Sequence, residues 1–129
     1  MIMPCEVAVK SVVPAVRALV AKELTYTFKL NQTDVASLLG VTQTAVSKYL
    51  GHVRGSVIDL ENVEEIQLAV KKIAVSLTNG NLSRSELLGN VCRVCRIARK
   101  KGLMCELCKR SDPLIDAESC SFCLNGSSL

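Results

Sequence analysis

"LNQTDVASLLGVTQTAVSKYLG", residues 30–51, carries two helix signals with a glycine between them. Asn31 suits the N-cap of a short helix running to Leu39, because its side-chain oxygen can accept from a first-turn N–H that lacks a partner within the helix. Gly40 suits the left-handed conformation that ends such a helix. Thr42 then caps a second short helix over 43–50. Ala36 is small where two helices must approach, and Val35, Leu39, Val46 and Tyr49 or Leu50 point inward at i, i+4 spacing. Two short helices joined by a glycine-containing turn form the helix-turn-helix pattern. Gln43, Thr44, Ser47 and Lys48 are left on the outer face of the second helix. These are short or flexible hydrogen-bonding groups, of the kind that reads base edges in a major groove. Asn31 and Gln32, at the start of the first helix, suit phosphate through backbone N–H groups and the helix dipole.

Outward from this unit, the periodicity predicts helices on both sides. Residues 14–29 read as a helix with Pro14 in its first turn and Val16, Leu19, Val20, Leu24 and Phe28 on a helical period. Downstream, Asn62 is the expected cap of a helix whose apolar positions Val63, Ile66, Val70, Ile73 and Leu77 step by 3, 4, 3 and 4. Such a seam serves equally as a dimer contact or as packing onto the helix-turn-helix. Ser83 with Glu86 three residues on is a capping box that opens a further helix, carried by Leu87, Leu88, Val91 and Val94 and stopped by Gly102. Residues 103–129 show no period. The expected organisation is a helix-turn-helix region with its following helix over 1–80 and a cysteine-rich region over 81–129. The expected fold is all-α, a helix-turn-helix helical bundle with a small C-terminal Cys-rich metal-binding region.

Composition narrows the function classes. Hydrophobic residues make up 49 % of 129, but aromatics only 3 %, and Trp is absent. The core must therefore be aliphatic, as in helices packed on helices, and the bulk of the chain is too apolar for disorder. The formal charge of +4 permits a nucleic-acid ligand without demanding one. Over 14–56 the balance is +3, from Arg17, Lys22, Lys29, Lys48 and Arg54 less Glu23 and Asp34. One such unit binds DNA weakly in physiological salt, so a homodimer on a two-fold operator is expected. The apolar start is interrupted by Lys10, Pro14, Arg17 and Lys22, which a bilayer core does not accept, so no membrane partner and a cytoplasmic location are expected. With one His, no strand-to-helix CxxC context and no phosphate-binding loop, the chain reads as a non-enzyme.

Six of the seven cysteines fall into three CxxC pairs, Cys92/Cys95, Cys105/Cys108 and Cys120/Cys123, with nine and eleven residues between them. Thiolates at this spacing converge on one ion, and two pairs complete a tetrahedral shell. Cys92 and Cys95 lie on a predicted helix, and no Gly follows any pair as in a zinc ribbon. An iron–sulfur cluster therefore ranks slightly ahead of zinc, with a bare dithiol switch third. Two thiols exceed one site, which suits redox sensing or ligation across a dimer. Arg93, Arg96, Arg99, Lys100, Lys101, Lys109 and Arg110 surround the first two pairs; they offset thiolate charge, contact DNA phosphate, or form a solvated helix face. Cys5 reads as a buried small residue, and His52 as a loop or backbone-contacting residue.

The stretch "LNQTDVASLLGVTQTAVSKYLGHVRG", 30–55, resembles the lambda-repressor-like, or XRE-type, DNA-binding domain. The wider chain is similar to small archaeal transcription regulators through "PCE", "VVPAVRALVAKEL", "LLGVTQTAVSKYLGHVRG" and the tail "CRVCRIARKKGLMCELC…CSFC". The resemblance implies a five-helix domain that binds double-stranded DNA as a dimer. It implies that Gln43, Thr44, Ser47 and Lys48 read DNA while Gln32 and Arg54 hold its backbone, and Thr42 is a further expected DNA-binding residue. The expected function is sequence-specific transcriptional regulation responding to redox or metal status. The rival readings are a regulator with a purely structural zinc site and a small metal or cluster carrier that does not bind DNA.

Overall fold

The computed structural model describes residues 3–114 and Cys120. Every regular element among the described residues is an α-helix: α1 (Pro4–Lys10), α2 (Val12–Tyr26), α3 (Gln32–Leu39), α4 (Gln43–Leu50), α5 (Glu64–Thr78), α6 (Arg84–Lys100) and α7 (Cys105–Ser111). None of these helices is long and apolar enough to cross a membrane.

α2 is the central helix. Val12, Val16, Val20 and Leu24 are all at most 2 % exposed, and Ala15, Ala18 and Ala21 are buried beside them. A helix apolar on so much of its circumference has to be surrounded, and α2 touches α1, α3, α4, α5 and α6. Its alanines let those neighbours approach, while its valines fill the spaces between them. The buried residues form one cluster to which all seven helices contribute. At roughly 1.5–3 kcal/mol per fully buried aliphatic side chain, this cluster is the main stabilising term.

Three of the helices α1–α5 differ from the sequence reading, in extent, presence or cap. α2 begins at Val12, two residues ahead of Pro14, and ends at Tyr26. A proline at the third helical position removes no intrahelical bond, because the first N–H groups have no acceptor there. Beyond Tyr26 the chain turns, and Lys29 adopts φ 58°. Upstream, α1 was not anticipated; Pro4 opens it, and the buried Ser11 closes it by donating from Oγ to the Val7 carbonyl at 2.7 Å. The third difference is at α5, where Val63 occupies the N-cap position expected for Asn62. Leu60 is buried there, and Asp59 Oδ1 accepts from the Glu61 N–H at 2.9 Å, which fixes the turn one residue away from the asparagine.

The apolar seam of α5 faces inward. Ile66, Val70, Ile73 and Leu77 are buried and Val63 half-buried, against α2 and α6. A dimer contact through this seam is therefore excluded, because the protomer's own core occupies it. α6 opens as expected on Ser83, whose Oγ accepts from the Glu86 N–H at 3.2 Å. It closes before Gly102, at φ 71°. α7 lies in the stretch where no period was read; it buries Cys108, with Met104 just ahead of it, and packs on α1.

Candidate nucleic-acid interface and thiol region

α3 and α4 are each eight residues long, and their ends are held by side chains rather than left to fray. Asn31 Oδ1 accepts from the Asp34 N–H at 2.8 Å, and Thr42 Oγ1 accepts from the Ala45 N–H at 3.0 Å. Gly40 takes φ 69°, and the Val41 N–H reaches back to the Ala36 carbonyl at 3.0 Å, so the turn is closed by the backbone itself. Val35, Ala36, Ala45, Val46 and Tyr49 are buried where the two helices meet each other and α2. Leu39 and Leu50, also expected inside, are half-buried. This packing fixes the angle at which α4 leaves the body.

The opposite face of α4 is open. Gln43, Thr44, Ser47 and Lys48 are all exposed, as is Thr42 ahead of them. The Thr42 oxygen is engaged by its cap, which leaves its hydroxyl hydrogen to donate outward. Gln32 is half-buried at the first turn of α3. Arg54 is exposed, with its guanidinium 6.0 Å from the centre of the Tyr49 ring. That distance is the outer limit of a cation–π contact, and it holds the charge beside the end of α4.

The loop after α4 is tied to α2. His52 adopts φ 60°, and its Nδ1 lies 3.3 Å from Lys22 Nζ, which pairs with Glu61 at 2.8 Å. Gly55 comes so close to α2 that a Cβ there would meet the Pro14 carbonyl oxygen at 2.6 Å. His52 thus belongs to the loop, as its sequence position suggested. The roles of Lys22 and Gly55 were not read from the sequence, because both depend on a long-range contact that no local pattern announces.

A second link joins α3 to the cysteine helices. Arg84, the first residue of α6, donates from Nη1 to the Leu38 carbonyl at 3.2 Å and lies against Gly40. This carbonyl is among the last of α3, which have no N–H donor inside the helix, so a cation is favoured there by both hydrogen bonding and the helix dipole. Cys92 and Cys95 are two to three turns further along the same α6, at about 12 and 16 Å from Arg84 by helical rise.

Cys92 is exposed, Cys95 and Cys105 are half-buried, Cys108 is buried and Cys120 is exposed. Cys123 lies outside the described residues. Among the described residues no three Cys, His, Asp or Glu side chains gather into a group able to hold a metal ion. Cys5 is exposed rather than buried, and its Sγ lies 3.9 Å from Arg99 Nη1. Its exposure follows from its place on the outer side of α1, where Val7 and Ala8 take the inward positions. Arg99 departs from a solvated helix face as well: it is 5 % exposed near the end of α6. Arg93, Lys100, Lys101, Lys109 and Arg110 are exposed.

No family model matches the chain, and neither a curated protein nor a solved structure matches it.

Proposed function

We propose that the protein is a sequence-specific DNA-binding transcriptional regulator of the lambda-repressor-like kind, acting as a homodimer, with α4 as its recognition helix. One observation carries this reading. Gln43, Thr44, Ser47 and Lys48 share the exposed face of a short capped helix whose opposite face, Ala45, Val46 and Tyr49, is locked into the core. A helix held this rigidly can present its polar side chains to a major groove at little further cost in entropy. In this reading Thr42, Gln32 and Arg54 contact phosphates at the two ends of the unit. A metal carrier gives no reason for four such groups to be exposed together.

The cysteine region is assigned the sensing role in this proposal. An iron–sulfur cluster ranks ahead of zinc as the species taken up by Cys92, Cys95, Cys105, Cys108, Cys120 and Cys123. One ligand shell takes four thiolates, so the three CxxC pairs supply two more than a single site uses. When bound, such a group would hold the thiolates together; when lost, it leaves them open to oxidation. The chain's own route from thiols to DNA is α6, through the Arg84 bond to the end of α3.

The test is DNA binding by the full chain, purified anaerobically and assayed for iron, sulfide and zinc. Specific binding that changes when Cys92 and Cys95 are both replaced by Ser, with helical content unchanged, supports regulation through the thiols. Affinity that is the same in loaded, stripped and mutant protein reduces the region to a structural clip. Absence of any preference among DNA sequences removes the regulator reading altogether.

A further inference from the structure

The face of α5 that points away from the core is not uniformly polar. Leu68 is 54 % exposed and Val75 45 %, and they lie one heptad apart on the outward side of the helix. Glu64 and Lys71 flank them on one side and Glu65 and Lys72 on the other, all four exposed. Beside this stripe, α5 and α6 enclose a groove of about 490 Å³ whose apolar lining is Leu68, Ala69, Ile73 and Ile97, with Lys72 and Arg93 among its polar residues. A projecting leucine therefore stands next to an apolar hollow that has a small residue, Ala69, at its edge.

We infer that this face is the contact between two copies of the chain, with the α5 helices antiparallel about a two-fold axis beside Leu68. The charges decide the direction. In an antiparallel pair centred there, Glu64 meets Lys71 of the second copy and Glu65 meets its Lys72, and the two-fold repeats each contact. A parallel pair at the same register sets glutamate against glutamate and lysine against lysine, which is repulsive. Glu65 already holds Lys101 of its own chain at 3.0 Å, and its carboxylate has a second oxygen free for the new partner. Leu68 of each copy enters the groove of the other, where Ala69, Ile73 and Ile97 remove it from water. Of the inward seam of α5 only Ile73 reaches this groove, at its floor; Ile66, Val70 and Leu77 are consumed by the protomer's own core.

This surface supplies the second reading head that the proposed function calls for, and so deepens that reading. Its test contains no DNA, so failure of the interface and failure of DNA binding are separate results. Sedimentation equilibrium of the full chain in reductant is expected to give a dimer. Leu68→Asp should weaken it by roughly tenfold or more, by burying a charge in an apolar contact. Glu65→Lys and Lys72→Glu should each weaken it, and the double exchange should restore it, while circular dichroism shows all four variants equally helical. A monomeric wild-type chain up to its solubility limit overturns the proposal and leaves the face to some other occupant. A wild-type dimer that none of the variants weakens overturns it too, by placing the contact elsewhere.

Discussion

Two glycines support the loops that flank α4, and they differ in what surrounds them. At Gly40 the backbone is left-handed, and a Cβ would meet the guanidinium of Arg84 at 2.9 Å. A flexible side chain can withdraw, so Gly40→Ala is expected to cost mainly the backbone strain, roughly 1–2 kcal/mol. At Gly55 the φ is 81°, and the Cβ would meet the Pro14 carbonyl oxygen at 2.6 Å and Ala18 Cβ at 2.9 Å, neither of which can move alone. Gly55→Ala should therefore destabilise more than Gly40→Ala in urea unfolding; equal midpoints would mean that the 51–60 loop does not dock on α2 as described. The two kinds of contact at α4 should also separate. Gln43→Ala is expected to relax base preference at one position by roughly 1–3 kcal/mol. Arg54→Ala, beside the end of α4, is expected to weaken all sequences alike and to lower the salt slope by about one. A uniform loss from Gln43→Ala in competition binding would take base reading away from that residue.

Three of the four expected N-caps are legible in the sequence, and the reason is local. Asn31, Thr42 and Ser83 each satisfy an N–H three residues away, so the signal and its structural consequence lie within one turn. α1 and α7 were missed because each has seven residues, too few to display a period, and each is stabilised by packing on a distant neighbour. The α5 seam was legible as a seam but not in its direction. Nothing in a 3-4 repeat says whether it meets its own core or another chain; the burial of Ile66, Val70, Ile73 and Leu77 answers that. Ile66→Ala should accordingly cost about 2–5 kcal/mol of stability at every protein concentration, as a cavity in a close-packed core does. A concentration-dependent loss in thermal unfolding would instead put Ile66 at the interface. For α6, Arg84→Ala should lower stability by only about 0.5–1.5 kcal/mol, the worth of one hydrogen bond. In the proposed coupling it should also make DNA affinity indifferent to thiol oxidation. Retention of the full redox response by this variant would show that the signal takes another route.

At the scale of the whole molecule, the sequence indicates an all-helical body, and it marks the polar face of α4 and the cysteine pairs better than the connection between them. The exposed face of α4 could be listed residue by residue, because short helices with strong caps leave little choice of which side is buried. The cysteine pairs could be listed too, but their arrangement could not, since it depends on how α7 settles on α1 and on residues beyond Leu114. The buried Arg99 near Cys5 belongs to the same class: a basic side chain on a helix is ordinarily solvated, and only tertiary packing buried this one. With a net charge of only +4, the proposed DNA-binding role would have to draw its specific affinity from geometry and duplication rather than from a broad cationic surface. The most direct test of that account is selection from random double-stranded DNA by the reduced, full-length protein, run beside Gln43→Ala. The expected result is an enriched half-site repeated with inverted symmetry, its centres one helical turn or a multiple of about 10–10.5 base pairs apart, with preference lost at one position in the variant. A pool that remains as random as the input at low salt, or one that Gln43→Ala enriches identically, would contradict it.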